Sequence, residues 1–504
     1  MSPGTIKQPA IPRVPIVYNW DFLAMRFTGE TYSPPFNPGA VSFAPTGSPM
    51  IRDEQFNLQT LNTKNGQWKL TNLLDAAKAS LSAQGINWSP AAPGIYAIGV
   101  EQVAYYANPI WDESRIVYDT AGHAYAILAS GRSSLNASVF MHSSDGAKTW
   151  TAYLIPGSGS STYTSVSMEQ PTAGSTLLNQ PPVLLLRPYF DYAGNPRTMQ
   201  MVTPILNMDG SISFAGPFTV ATNTITDIPP AGNENAVVSS GNLVHIVYPG
   251  ATLALDTISG RHGTPEYAVT VNRTTGAVVT GPTLLGVGVD QADESVVDEH
   301  NQPTIAMDRS GFLHTIVAGH DGPLYYLKST AANNTSSWGT TQILGQRPSN
   351  TWPNADEYSY PSLLIDINNN PVIVVRWAGH GYIFRLVVLY MSVGHWVQQT
   401  LVDPGRPFYG IWYHKATVSR SGKIFIHYKY FPDNIFADEA LVIESTFGLT
   451  LTPNPTSCVA TNHDSITPSY CAYNGYATLT NAMVCSSDAT FSSFGSVTSG
   501  AFFS

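Results

Sequence analysis

The sequence predicts an all-β fold, a β-propeller with seven blades expected, six and eight being the alternatives, and an irregular N-terminal lead-in. Three observations carry that expectation. Charged residues make up only 12% of the 504-residue chain, while Gly (41), Pro (37) and Tyr (26) abound, a profile of many short strands joined by tight turns. A turn of the Asp-x-x-Gly type, or a near relative, recurs ahead of alternating or apolar runs. Successive turns stand some 50 to 70 residues apart, the interval of one four-stranded blade.

Residues 1–95 read as the Pro-rich lead-in, interrupted by one short helix. In TNLLDAAKASLSAQG, Thr71 suits an N-cap and Gly85 a C-terminal stop. The opening MSPGTIKQPAIPRVPIVYNWDF has no apolar secretory core. Either export is absent or a signal was removed ahead of this numbering.

Residues 96–450 are expected to form the propeller. Its turns are centred on Asp119, Asp191, Gly241, Asp308, Asp366 and Gly422, and one degenerate blade would bring six to seven. An Asp-box, HSSDGAKTW, adds Ser143, Asp145, Thr149 and Trp150, with Ala147 where the motif usually has glycine. Its Ser and Asp fasten a hairpin turn and its Trp packs between blades, so it speaks for the fold and not for an activity. The Ser/Thr-rich segment 451–504 either completes a blade or forms a small appendage.

Composition excludes several classes. A content of 43% hydrophobic residues provides for a large core and argues against wholesale disorder. A net charge of −10 argues against a nucleic-acid partner, and no run is long and apolar enough for a membrane-spanning helix. Cys458, Cys471 and Cys485 fit no zinc spacing. One disulfide with a spare thiol and three separate thiols remain equal alternatives. The acidic stretch Asp290, Asp293, Glu294, Asp298 and Glu299 matches no known calcium loop. A structural calcium stays an option there, and no cofactor is required.

Chemistry concentrates between Asp298 and Arg376. His300 sits in an HNQP turn before one apolar run, and His320 in AGHDGPLYY after the next. Tyr360 precedes Pro361 at the start of a third strand, and Arg376 ends a fourth. These four resemble the centre of the propeller-type polysaccharide lyases, which include ulvan lyases and the rhamnose–glucuronate lyase of gum arabic degradation. The resemblance is close over roughly 80 residues, and the separations of 20 (His300 to His320) and 16 (Tyr360 to Arg376) are similar too. Beyond that segment it rests on the blade pattern. It implies that the four positions line an anion-binding and catalytic centre.

The residue types suit that task. β-Elimination of a uronate removes the proton at C5, beside a carboxylate whose charge makes the proton less acidic. The planar fork of Arg376 can hold both carboxylate oxygens and keeps its charge. Either Tyr360 or His320 is the base. A free His titrates near ~6.5 and a free Tyr near ~10, so Tyr360 would need a cation beside it to act as phenolate. The protonated partner then serves the departing oxygen. His320 and Tyr360 are therefore assigned to proton transfer, and His300 and Arg376 to carboxylate neutralisation, with the two His roles exchangeable.

Asn301, His380, Arg385, Tyr413 and His414 are expected to form sugar subsites. His314, mid-strand, is either a support behind the site or a buried structural residue. Arg187 in LLLRPYF only faintly echoes a sialidase element, and no triad of arginines with a Tyr/Glu pair can be assembled. The expected partner is an anionic polysaccharide met outside the cell by a monomer. A sialidase-like hydrolase and a non-catalytic glycan-binding propeller are the rival readings.

Overall fold

The computed structural model describes side chains over residues 73–88, 116–128, 137–159, 166–170, 180–187, 197–225, 235–289, 295–298, 300–317, 322–344, 358–366, 368–377, 385–400, 414 and 416. For further strands it describes the backbone. The described elements form six four-stranded antiparallel sheets and one of five strands, in chain order over 41–72, 117–154, 163–224, 237–288, 304–344, 357–402 and 411–460, together with two-stranded hairpins over 20–27 and 94–105. All are meanders except the 237–288 sheet, where a short extra strand, Ala254–Leu255, pairs with the long His262–Asn272 strand.

Burial shows how these sheets stack. Ala124, Ala126 and Leu128 face one core cluster, while their neighbours Tyr125 and Ile127 face a second cluster shared with Leu184 and Leu186. Val183 and Leu185 then join Val237, Val244 and Ile246 in a third. Val238 and Val247 join Ile305, Leu313 and Val317 in a fourth, and Ala306 and Ile316 meet Ile373 and Val375 in a fifth. The four sheets from 117–154 to 304–344 are thus covered on both faces, with alternate residues serving alternate neighbours. The first strands of consecutive sheets, Val237–Ser240, Thr304–Met307, Glu357–Ile365 and Ile411–Val418, also pack on one another in sequence. This is blade stacking, and the fold is an all-β propeller. Ring closure, and with it the count of seven, lies outside the described residues.

The recurrent turns are held by their own carboxylates. Oδ1 of Asp119 accepts from the amides of Ala121 and His123, that of Asp308 from Ser310 and Phe312, and that of Asp366 from Asn368 and Asn370. Such Asx turns close the hairpin between the first and second strands. The turns at Asp191 and Gly422 lie outside the described residues. The Asp-box is built as expected: Oδ1 of Asp145 accepts from the amides of Lys148 and Thr149, and its Oδ2 from the Thr149 hydroxyl at 2.7 Å. Trp150 packs in the cluster that also buries Leu73, Ala77 and Leu81 of the helix Leu73–Ala83.

Two features of the N-terminal region differ from the sequence reading. The stretch expected as irregular holds a short paired hairpin, Trp20–Asp21 with Arg26–Phe27, and a four-stranded sheet, Val41–Phe43, Pro49–Arg52, Asn57–Asn62 and Gln67–Asn72. These are short and largely polar, so they lack the apolar alternation that announces a strand. The helix starts at Leu73, so Asn72 and not Thr71 precedes it, while Gly85 ends it with φ 78°. The edge of the 117–154 sheet docks there, the Ala152 amide donating to Ser80 Oγ at 2.9 Å. At the other terminus, Cys458–Ala460 supplies the fourth strand of the last sheet. Cys471 and Cys485 lie outside the described residues.

Candidate active site

In an antiparallel meander, the turns after the first and third strands lie at one end of the sheet. The connection after the second strand and the link to the next sheet lie at the other. His300 precedes Thr304–Met307, Tyr360 lies early in Glu357–Ile365, and Arg376 lies late in Pro371–Gly379. All three therefore belong to the end opposite the Asp turns. The two sheets are laced there by the Tyr358 amide, which donates to the Gly322 carbonyl at 3.0 Å.

The three side chains meet in a row. The His300 ring stands edge-on to Tyr360, with centroids 6.2 Å apart and planes at 63°. Arg376 lies over the Tyr360 ring, its Cζ 4.6 Å from the centroid. Exposure falls along the row, from 26% for the His300 side chain to 7% for Tyr360 and 2% for Arg376. A cation this deep must be compensated. The ring face supplies part of that, and Ser359 Oγ accepts from Nε at 3.2 Å and from a terminal nitrogen at 3.0 Å.

A bulge creates the arrangement. The register between Glu357–Ile365 and Pro371–Gly379 shifts between Ser359, opposite Arg376, and Ser362, opposite Val374. Tyr360 sits in that shift with φ 60°, a backbone conformation uncommon for a bulky residue and worth of order 1–3 kcal/mol of strain. Bulges beside active sites commonly re-aim a side chain. Here the result is that the Tyr360 ring touches both an imidazole and a guanidinium.

His300 has a fixed orientation. Its Nδ1 lies 2.7 Å from Asp298 Oδ1, which also accepts from the His300 amide at 2.9 Å. Sequence reading placed Asp298 only within an acidic stretch. The Asp-x-His spacing ahead of a strand was the available signal for this pairing. Among the described residues no group of three or more His, Cys, Asp or Glu is arranged to hold a metal ion.

The remaining expectations divide. His320 and His380 lie outside the described residues, as does the side chain of Tyr413. Arg385 is half-buried with its guanidinium over Trp377, 5.3 Å from the ring centroid. Asn301 and His414 are corrected. Asn301 is fully buried and its amide donates to the Gly288 carbonyl at 2.9 Å. His414 is fully buried too, its Nε2 3.0 Å from the Val374 carbonyl. Both join neighbouring sheets and present no surface to a sugar. His314 is a buried structural residue, bonded to Tyr326 and to Asp308 of its own turn. Burial, opposed by Asp308, holds its imidazole below the ordinary histidine range.

Residues 283–428 match the model of a family described as BNR repeat-containing family member. That segment contains all nine candidate residues. No curated protein sequence matches the chain. Similar solved structures include the polysaccharide lyase Uly1, at 15% identity over 44% of this chain and 54% of that one, with a TM-score of 0.29. An ulvan lyase is 14% identical over 45% of this chain and 53% of that one, with a TM-score of 0.31. An α-L-arabinanase of Penicillium chrysogenum is 12% identical over 65% and 76%, with a TM-score of 0.30. The chain spans about half the length of the two lyases it matches.

Whatever its substrate, this end of the two sheets offers a buried cation, a phenol against it, and an oriented imidazole at the rim. That set can neutralise an anion and move a proton.

Proposed function

We propose that this protein is a carbohydrate-active enzyme that cleaves a uronate-containing polysaccharide by β-elimination, with rhamnose–glucuronate polymers favoured. The observation that carries the reading is the stacking of Arg376 on Tyr360 beside His300. The guanidinium over the ring supplies the neighbouring cation that a tyrosine base asks of its surroundings.

In the proposed reaction His300, at the rim, meets the uronate carboxylate, and Arg376, 2% exposed, contributes its charge from over the Tyr360 ring. Tyr360 or His320 takes the C5 proton, C4 and C5 become doubly bonded, and the C4–O bond breaks. The departing glycosidic oxygen receives a proton from the partner residue. The products are a chain with an unsaturated uronate at its new end and a chain with a free hydroxyl. The enzyme acts as an extracellular monomer and needs no cofactor for this step. Cations at the site, not the overall charge of −10, attract the polymer.

The test is ultraviolet absorbance while purified protein meets ulvan, gum arabic, glucuronan, alginate and bacterial exopolysaccharides. A rise from the conjugated uronate, lost in Tyr360→Phe and His320→Ala, supports the lyase. Reducing ends without absorbance point to a hydrolase. Unchanged glycan binding in all three proteins, with no cleavage, points to a binding module.

A further inference from the structure

Beyond the four residues assigned above, we infer that Asp298, braced by Thr264, is a positioning residue that fixes the tautomer and orientation of His300. This deepens the lyase reading and rests on it for the consequence, though not for the geometry.

An ionised carboxylate only accepts hydrogen bonds. With Asp298 Oδ1 2.7 Å from His300 Nδ1, the shared proton resides on Nδ1. Nε2 is then the nitrogen whose protonation the reaction can use. The same oxygen accepts the His300 amide at 2.9 Å, so ring and backbone are pinned by one atom. A carboxylate behind an imidazole both selects the tautomer and supports its cation.

Asp298 is itself anchored from the preceding sheet. Its amide donates to Thr264 Oγ1 at 2.9 Å, and the Thr264 hydroxyl lies 3.3 Å from the Asp298 carbonyl. Thr264 is fully buried within the His262–Asn272 strand, a rigid support for the loop. A line of contacts thus runs from Thr264 on one sheet through Asp298 and His300 to Tyr360 and Arg376 two sheets on. Among the described residues, the titratable or charged groups against His300 include Asp298 on its own loop and Tyr360 on the 357–402 sheet, with Arg376 over the Tyr360 ring. Thr264, from the 237–288 sheet, is neutral.

The experiment is nitrogen-15 NMR of the histidine rings in the full-length protein, with His300 assigned by His300→Gln. Asp298→Ala, Asp298→Asn and Thr264→Val are compared with the native chain. The native ring should show the Nδ1-protonated form. Asp298→Ala should lose that preference, Asp298→Asn should retain it through the amide oxygen, and Thr264→Val should show a mixture. An unchanged His300 pattern in folded Asp298→Ala overturns the inference. If Asp298→Ala does not fold, unaltered ring signals in Thr264→Val overturn it instead.

Lyase assays run alongside. Asp298→Ala should lower kcat/KM about 10–100-fold, part of what a positioned acid or base supplies, and alter its pH profile, with partial recovery in Asp298→Asn. Absence of lyase activity in the native protein would sink the proposed function while the ring signals still decide the positioning role.

Discussion

The guanidinium of Arg376 lies over Tyr360 with Cζ 4.6 Å from the ring centroid, while two of its nitrogens donate to Ser359 Oγ. A lysine there would keep the charge and lose both the stacked plane and the forked donors. Arg376→Lys should therefore reduce uronate cleavage about 100-fold or more, the scale for loss of an electrostatic donor. Initial rates of absorbance change on the responsive polymer measure this. Retention of most activity would mean that a point charge suffices and that the stacking is incidental.

A second prediction concerns the Asp-box. Ala147 has φ 68° and stands where the motif usually carries glycine. An L-residue in the left-handed region costs roughly 1–2 kcal/mol, part of which glycine returns through its greater freedom in the unfolded chain. Ala147→Gly should stabilise the protein by about 0.5–1 kcal/mol, read as a small rise in Tm. A fall in Tm would show that the buried methyl contributes more than the strain.

These two sites mark what the sequence makes legible. Asp119, Asp145, Asp308 and Asp366 bind amides within four residues of themselves, so a local pattern suffices to find them. His300, Tyr360 and Arg376 are singled out by residue type at strand ends and by the family resemblance, and the structure brings the two rings and the guanidinium of that set together. Their mutual orientation was not legible, because it depends on the bulge after Ser359. The same cause hid the burial of His414, since a register shift between Ile411 and His414 breaks the alternation that would assign its face. Glu169 was missed for a different reason. It follows its strand as Asp308 does, yet its buried cationic partner, Arg273, is more than 100 residues away.

Acid should weaken the fold in two stages. His142 is pushed down to about 4 by burial and then by the neighbouring His123, with Asp119 opposing. His245 is pushed down to about 4 by burial, with Asn333 opposing. Between the ordinary histidine value and about 4 the unfolded chain binds more protons, so stability falls as pH falls across that window. Below it, burial would raise Asp145, but hydrogen bonds from Thr149, Ser143 and Lys148 prevail and hold it at about 2. Its contribution is present above the ordinary carboxylate value and is lost as pH drops towards about 2. Denaturant midpoints from pH 8 to pH 3 should decline first near pH 6. His142→Gln and His245→Gln together should flatten the upper stage, and an unaltered slope would show that other groups govern it.

Glu169 and Arg273 form a buried pair between the 163–224 and 237–288 sheets. Their closest charged atoms are 3.9 Å apart, with Ser239 between them: its amide donates to Glu169 at 2.6 Å and its hydroxyl accepts from Arg273 at 3.2 Å. Arg273 also donates to the Pro181 carbonyl, and the Val183 amide donates to Glu169 at 3.1 Å. Burial pushes the Glu169 carboxyl up despite Arg273 beside it, and pushes the guanidinium down. Removing one partner leaves the other desolvated, so Arg273→Met should cost about 3–5 kcal/mol. Replacing both, Glu169→Leu with Arg273→Met, leaves no stranded charge and should recover much of that loss, since buried pairs are often no more stabilising than apolar residues of similar volume. Urea unfolding of both single variants and the double variant reads the coupling directly. If the double variant loses the sum of the two single losses, the residues act independently and the sheets are not joined by this pair.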